Sequence, residues 1–282
     1  MTAVSIKEEL IKAQKGGYAV PLFDVFDTFG VDGLMEAMIA RRAPTVVAVY
    51  SPFAQKENSR AFAAYILTRL AESNVPATLM LDHGVSVEAC LQALEFGFTD
   101  VMYDGSKLPL EENIANTCQV VEAAHARGVT AEAELGHVGL GSDYETPSLV
   151  RAGFTDPAMV EYFVKETGVD YLAIAFGNAH GLYKGEPRLD LDLVREVRRR
   201  VSIPLVMHGG TGLSDDQFRG AIAAGISKIN FATSIINTSV ENMKKAAADP
   251  KATLFSIPDG IRTAYRDWCS RLYDVFGTSG KA

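Results

Sequence analysis

The sequence is poor in cysteine, in positive charge and in long apolar runs. Its three cysteines, Cys90, Cys118 and Cys269, are widely spaced, which argues against a disulfide framework or a zinc knuckle. We expect them to be reduced thiols that pack inside the protein. The net charge of -8 disfavours a general nucleic-acid partner, but it is compatible with a local cationic pocket for a phosphorylated small molecule.

Membrane and export signals are also missing. No apolar run reaches the roughly 18 residues that a membrane-spanning helix needs. Residues 1–15 have the pattern of an amphipathic helix rather than of a signal peptide. We therefore expect a soluble cytoplasmic protein without a membrane partner. Because no linker divides the 282 residues, we expect a single domain, 1–282.

Short β-rich runs alternate with helical patterns along the chain. Strands are predicted at 18–25, 45–50, 77–83, 100–103, 130–135, 171–176, 205–208 and 228–231. Helices are predicted near 31–42, 57–73, 86–96, 110–127, 157–167, 190–200, 214–224 and 233–248. Eight strand–helix units in about 250 residues match a TIM (β/α)8 barrel better than a doubly wound sheet. The segment from about 250 to 282 predicts extra helices packed outside the barrel.

One apolar run, residues 79–84, ends abruptly in Asp82, His83 and Gly84. It is typical of a strand that is buried on both faces and presents reactive groups at its C-terminal tip. We expect the adjacent Asp82 and His83 to point to different sides of the strand exit, so that one could bind a metal while the other transfers protons. The alternative is an Asp that caps the helix near Ser86, beside a structural histidine.

In a barrel, polar side chains at the strand exits converge at one mouth, whatever their separation in sequence. The predicted exits carry Asp24, Ser51, Asp82, His83, Glu132, Glu134, His180, His208 and Asn230. Three neutral imidazoles with open positions are a catalytic zinc arrangement, and Glu134 is a candidate additional ligand. The alternative is that each histidine only hydrogen-bonds at a loop entrance. Three histidines on one rim favour the metal site.

The last strand exits have the composition of a phosphate site. Glycine backbones can approach an anion closely, and amides at a helix start can donate hydrogen bonds to it. The candidate substrate-binding residues are Ser51, Gly181, Gly209, Gly210, Thr211, Asn230, Phe231, Ala232 and Thr233, with Lys184 as a possible source of positive charge.

Five ordered motifs together resemble the class II, zinc-dependent fructose-bisphosphate aldolase family, in particular its tagatose-bisphosphate aldolase-like branch. They are Leu81-Asp82-His83-Gly84, Glu132-Ala133-Glu134-Leu135-Gly136, Ala179-His180-Gly181-Leu182-Tyr183-Lys184, His208-Gly209-Gly210-Thr211-Gly212 and Lys228-Ile229-Asn230. The resemblance implies one Zn²⁺ per chain on His83, His180 and His208. It also implies that Asp82 exchanges a proton with the substrate, and that glycerone phosphate contacts Gly181, residues 209–211 and residues 230–233. A monovalent cation near the phosphate site is a further candidate ligand.

The sequence also departs from the family pattern at the mouth. Ser142 stands where the loop after the fifth strand usually has an acid, and Asp143 or Glu145 is the candidate replacement base. Asp24, Asn178 and Ala232 stand where Asn, Thr and an acid are usual. These changes leave the metal ligands intact but predict a preferred substrate other than fructose 1,6-bisphosphate.

The sequence therefore predicts a zinc-dependent aldolase that reversibly cleaves a ketose phosphate or bisphosphate into glycerone phosphate and an aldehyde. We expect a homodimer or homotetramer that acts on a small sugar phosphate. One alternative is a metal-assisted isomerase or epimerase of sugar phosphates. The other is a catalytically weakened barrel that is retained for binding or assembly.

Overall fold

The computed structural model of the protein describes residues 5–145, 151–254 and 256–282, with only the backbone of Glu145. Eight parallel strands form a closed barrel in chain order, β1 to β8, as predicted. They are Val20–Asp24, Thr45–Tyr50, Ala77–Gly84, Asp100–Tyr103, Thr130–Leu135, Tyr171–Ile174, Leu205–Met207 and Ile226–Asn230. This fold confirms the predicted TIM barrel.

Helices surround the barrel because each strand is buried on both faces and needs a cover. The described α-helices are Lys7–Gly16, Thr28–Arg41, Ser51–Ala54, Ser59–Ala71, Val87–Glu95, Leu110–His125, Pro157–Thr167, Leu191–Arg200, Asp215–Ala224, Thr233–Ala247 and Asp259–Phe276, and Gly141–Glu145 is a 3₁₀ helix. Apolar residues form one layer between strands and helices and a second inside the barrel. The interior is therefore packed, and reactive groups must lie at its ends.

The N-terminal helix Lys7–Gly16 closes the amino end of the barrel. Ile6, Leu10 and Ala13 are completely buried and join the interior cluster. The amide of Ile6 donates to Asp100 Oδ2 at 3.1 Å, and the hydroxyl of Tyr171 donates to Asp100 Oδ1 at 3.0 Å. Since this end is sealed, ligands have access from the carboxyl ends of the strands.

Several predicted strand ends at the mouth are wrong, although β2 has the predicted bounds. Ser51, expected to end β2, directly follows it and begins the short helix Ser51–Ala54, with Pro52 in the first turn. His208 follows β7 rather than ending it, and Phe231 likewise follows β8. These exits curve out of the strand ladder sooner than the apolar runs suggest.

The C-terminal region supplies one long helix within its described residues, where several were expected. Asp259–Phe276 packs against Thr28–Arg41 and Thr233–Ala247 outside the barrel. Its end is attached to the start of β1, since Ala19 N–H donates to Phe276 O at 3.1 Å. Among the described helices, none is both long and apolar enough to cross a membrane.

Candidate active site

Three histidines from distant parts of the chain converge at the carboxyl end of the barrel. His83 lies in β3, while His180 and His208 follow β6 and β7. His83 Nε2 is 3.2 Å from His180 Nε2 and 2.9 Å from His208 Nδ1. Nitrogens bound tetrahedrally to one zinc ion at about 2.0–2.1 Å would be about 3.3 Å apart. The three ring atoms therefore have the spacing of a metal-binding group.

The opposite nitrogen of each ring faces an acceptor that fixes its tautomer. His83 Nδ1 donates to Asp104 Oδ2 at 2.8 Å, and His208 Nε2 donates to Glu132 Oε1 at 2.7 Å. His180 Nδ1 donates to the carbonyl of Val138 at 3.2 Å. When the rings are neutral, the outer nitrogens carry the protons and the three inner nitrogens present lone pairs to one point. This donor set fits a divalent metal ion.

A β-bulge places Asp82 and His83 on the same side of the strand exit. The register between β3 and β4 shifts between Leu81 and Gly84, and His83 has a φ of 50°. Asp82 Oδ2 is consequently 3.9 Å from His83 Nε2, and both residues line one cavity. The expectation that they point to different sides is wrong, because the bulge interrupts the alternation of side chains.

Gly84 is what makes this bulge possible. A Cβ atom there would lie 2.4 Å from Met102 O and 2.4 Å from Cys90 Sγ. Any larger residue would push β3 away from β4 and from the helix beneath it. The glycine of the Asp-His-Gly motif therefore keeps the two reactive side chains in place.

The histidine group lies in a strongly negative environment. Burial disfavours a charge on His83, but the carboxylate of Asp82 and the hydrogen bond to Asp104 outweigh it and raise the pKa of His83 to about 10. Burial and the neighbouring His83 lower the pKa values of His180 and His208 well below their ordinary range. The acids that favour a proton on His83 would equally favour a metal cation among the three rings.

Glu134 also faces this group. Its Oε1 accepts a hydrogen bond from Val138 N–H at 2.9 Å, whereas its buried Oε2 has no hydrogen-bond partner among the described residues. That free oxygen lies 3.8 Å from His208 Nδ1. Burial and the charge of Asp104 raise the pKa of Glu134 to about 8. An unsatisfied carboxylate oxygen beside three imidazoles is suited to be a further ligand of the same metal ion.

Two residues outside the predicted set of site residues, Lys228 and Asp104, support the site from behind. Lys228 is completely buried, and its Nζ donates to Glu132 Oε2 at 2.8 Å and to Asn230 Oδ1 at 2.9 Å. Asn230 Nδ2 in turn donates to Asp82 Oδ1 at 3.0 Å. Asp104 directly follows β4, so a search of every strand exit would have found it. Lys228 belongs to the motif Lys228-Ile229-Asn230, but its supporting role could not be inferred, because a lysine in a strand is usually exposed.

Most of the predicted phosphate residues line the same cavity of about 560 Å³. They are Gly181, Gly209, Gly210, Thr211, Asn230, Phe231, Ala232 and Thr233. The helix Thr233–Ala247 begins here, and the amide of Ser234 in its first turn donates to Thr211 Oγ1 at 3.3 Å. Gly209 brings the loops after β6 and β7 together, since a Cβ atom there would lie 2.1 Å from Ala179 O. A helix start beside glycine backbones suits an anion.

Other predicted residues lie elsewhere or are only partly described. Ser51 is buried beneath the mouth, where its Oγ accepts from Gln55 Nε2 at 3.1 Å, and neither Ser51 nor Lys184 is among the residues around the cavity. Asp143 does line the cavity, and its Oδ2 accepts from Leu140 N–H at 2.8 Å. The side chain of Glu145 and residues 146–150 of the predicted loop are outside the described residues.

The barrel, the histidine group and the adjoining anion pocket are typical of enzymes that use a metal ion at the mouth of a barrel. Comparison with known proteins identifies the family within that class. The family model for class II fructose-bisphosphate aldolase matches residues 4–281. The chain is 38% identical to a fructose-bisphosphate aldolase of Geobacillus stearothermophilus, with 100% of this chain and 99% of the relative aligned. It is 36% identical to the fructose-bisphosphate aldolase of Staphylococcus aureus strain Mu50, with 100% of both chains aligned.

A solved structure agrees. The YdjI aldolase of Escherichia coli K12 superimposes with a TM-score of 0.89 and 30% identity, covering 99% of both chains. The protein belongs to the class II fructose-bisphosphate aldolase family. It is an aldolase, which makes it a carbon–carbon lyase, and the predicted family and activity are confirmed.

Proposed function

We propose that the protein reversibly cleaves a ketose phosphate into glycerone phosphate and an aldehyde, with one Zn²⁺ per chain bound by His83, His180 and His208. The observation that carries this proposal is the convergence of three lone-pair nitrogens beside Asp82 and an anion pocket. Glu134 is proposed as an additional ligand. A monovalent cation near the phosphate is a secondary proposal.

The chemistry requires negative charge to develop next to a carbonyl group when the carbon–carbon bond breaks. A zinc ion held by the three histidines would supply Lewis-acid stabilisation of that charge. In cleavage, Asp82 would accept the proton of the hydroxyl on the carbon that becomes the aldehyde. In condensation it would return that proton. Its other oxygen is held by Asn230, which fixes the orientation of the carboxylate.

The phosphate of the glycerone half would bind to the amides of Gly209 and Thr233 and to the Thr211 hydroxyl, while Gly210, whose amide donates to Asn230 O at 3.1 Å, would line the pocket. This anchoring orients the bond that breaks relative to Asp82. On the opposite side of the cavity, Asp143 is the proposed base that exchanges a proton with bound glycerone phosphate. Glu145 is the alternative base. Ser142, which stands where the family usually has an acid, has no carboxylate to accept the proton.

We further propose that the substrate is not fructose 1,6-bisphosphate, although its glycerone end carries a phosphate. Support comes from the cavity lining, where Asp24 and Ala232 replace the residues usual in the family. The chain would act as one domain, 1–282, in a homodimer or homotetramer. A cytoplasmic location suits an enzyme whose charged substrates do not cross membranes.

The proposal is tested by coupled detection of released triose phosphate over a panel of ketose phosphates. Parental protein should release triose phosphate, and Asp82→Ala should keep zinc but lose about 10²- to 10⁴-fold in turnover. His83→Ala should instead lose zinc. Asp156→Ala is a suitable control, because Asp156 only caps the helix Pro157–Thr167.

Three outcomes would count against the proposal. Full turnover in metal-free protein would exclude the role of zinc. Unchanged turnover in Asp82→Ala would exclude the proton transfer. Epimerised or deuterated ketose phosphate without any triose phosphate would identify an isomerase or epimerase instead.

A further inference from the structure

Asp24 has no task in the chemistry proposed above, yet it lies inside the cavity. It is the last residue of β1, and only 7% of its surface is exposed. Its buried Oδ1 has no hydrogen-bond partner among the described residues. A buried carboxyl oxygen without a donor is costly, and a bound hydroxyl group would remove that cost.

The backbone around Asp24 is held by two hydrogen bonds, which set the position from which its side chain enters the cavity. The hydroxyl of Tyr265 donates to Asp24 O at 2.7 Å, and the next amide, of Val25, donates to Ala48 O at 2.9 Å. Tyr265 itself is buried in the C-terminal helix. An unsatisfied acceptor on a fixed backbone is suited to select a ligand by its hydroxyl pattern.

Asp24 is also well placed to contact the aldehyde-derived half of a substrate. The phosphate residues follow β7 and β8, whereas Asp82 belongs to β3. Asp24 occupies the arc between them, because β1 pairs with β8 on one side and β2 on the other. Phe26, Tyr50 and Val85 form the adjoining part of the lining. Apart from its carboxylates and the Tyr50 hydroxyl, this part of the cavity is apolar.

The charges in the cavity disfavour a second phosphate group. Among the described lining residues, Asp24, Asp82, Asp104 and Asp143 are acidic, and Lys107 is the one lysine or arginine. A phosphate is bound strongly where arginine, lysine or free amides surround it. Free amides are available for the glycerone phosphate, but the wall around Asp24 offers carboxylates and aromatic rings.

We propose that Asp24 is a specificity-determining residue that accepts a hydrogen bond from a hydroxyl of the aldehyde-derived half. The wall formed by Asp24 and Asp82 offers no positive charge to a phosphate group there. The preferred substrate class is then a ketose 1-phosphate whose far end is hydroxylated and uncharged. This inference rests on the proposed aldolase function and names the substrate class of the same site.

The test compares kcat/KM for the 1-phosphates and the 1,6-bisphosphates of fructose and tagatose. Parental enzyme should favour the monophosphates. Asp24→Asn, which keeps the shape but replaces the carboxyl group with an amide that can donate to a phosphate, should shift the ratio toward the bisphosphates by about tenfold or more. Asp27→Asn is the matched control, because Asp27 caps the helix Thr28–Arg41 and Asn caps equally well. It should leave the ratio unchanged.

Binding gives a second readout that does not depend on turnover. Hexitol 1-phosphate and hexitol 1,6-bisphosphate lack the carbonyl and cannot be cleaved, and calorimetry gives their Kd values for the holoenzyme. The Kd ratio should shift in Asp24→Asn in the same direction as the kinetic ratio. An unchanged ratio, or a parental preference for the bisphosphates, overturns the assignment of Asp24. If no ketose phosphate is cleaved while the Kd ratio still shifts, the aldolase proposal fails and the role of Asp24 stands.

Discussion

At the residue scale, the buried charge of Lys228 affects both the Glu132 carboxylate and the protonation of His208. Its ammonium and the Glu132 carboxylate are both completely buried and lie 2.8 Å apart. Burial raises the pKa of Glu132, while the charge of Lys228 opposes that shift. Since Glu132 also accepts from His208, the lysine supports the protonation pattern that leaves His208 Nδ1 free.

Lys228→Met should therefore damage both stability and metal binding. Removing one partner of a buried ion pair costs about 3–5 kcal/mol, because the other charge stays buried and unpaired. Urea unfolding measures the first effect, and competition with a chromogenic zinc chelator measures the second. Lys244→Met provides the comparison, since the exposed Lys244–Glu241 pair should contribute less than about 1 kcal/mol. Equal effects of the two substitutions would contradict the role of Lys228.

Asp104 has a different influence on the same site, through the orientation of His83. Removing a carboxylate that holds a ligating histidine typically weakens metal binding about 10- to 100-fold. Asp104→Ala should show that loss in zinc affinity with little change in the fold, as judged by circular dichroism. Asp192→Ala, at an exposed carboxylate, should bind zinc normally. Parental affinity in Asp104→Ala would mean that His83 does not need this partner.

At the scale of elements, the segment after β5 connects the metal group to the mouth. Leu140 forms a bridge with His180, and the amide of His180 donates to Gly139 O at 2.8 Å. Asp143 closes the turn by accepting from Leu140 N–H. A ligand that engaged Asp143 would therefore also act on the backbone that positions His180.

Asp143→Asn should slow proton exchange between solvent and bound glycerone phosphate by about 10²- to 10⁴-fold, because an amide cannot act as the base. The substitution keeps an oxygen that can accept from Leu140, so the turn should persist. Exchange is followed by loss of tritium or by proton NMR in deuterium oxide. If Asp143→Asn exchanges at the parental rate and Glu145→Gln does not, the base is Glu145.

The sequence predicts the order of elements well because every strand of a closed parallel barrel is buried on both faces. Each strand therefore appears as a short apolar run between prolines and glycines, as in 79–84. The bulge at His83 could not be foreseen, because it depends on the register between β3 and a strand that follows sixteen residues later. Ser51 and Lys184 are not among the cavity-lining residues for a similar reason. Their positions depend on how the loops pack against each other, which the sequence does not reveal.

At the scale of the whole molecule, the two ends of the barrel have different roles. The amino end, which the N-terminal helix closes, contributes to stability rather than to the reaction. Leu10 is completely buried where the N-terminal helix closes the barrel. Leu10→Ala should cost about 2–5 kcal/mol in the free energy of unfolding while leaving kcat/KM at moderate temperature unchanged. Leu254→Ala is the control, because 81% of that residue is exposed. A large loss of kcat/KM in folded Leu10→Ala would show that the two ends are coupled.

The attachment of the last helix to β1 has a consequence for synthesis. A growing chain acquires His83, His180 and His208 in turn, and all three have been made before residue 259 appears. Asp24 is made much earlier, but its backbone carbonyl can accept the hydrogen bond from the Tyr265 hydroxyl only after Tyr265 has been made. Thr278 then bonds to Ala19 O and holds the final helix to the first strand. The part of the cavity wall that contains Asp24 therefore depends on a contact between two segments that are 241 residues apart in the chain, and it can form only after both have been made.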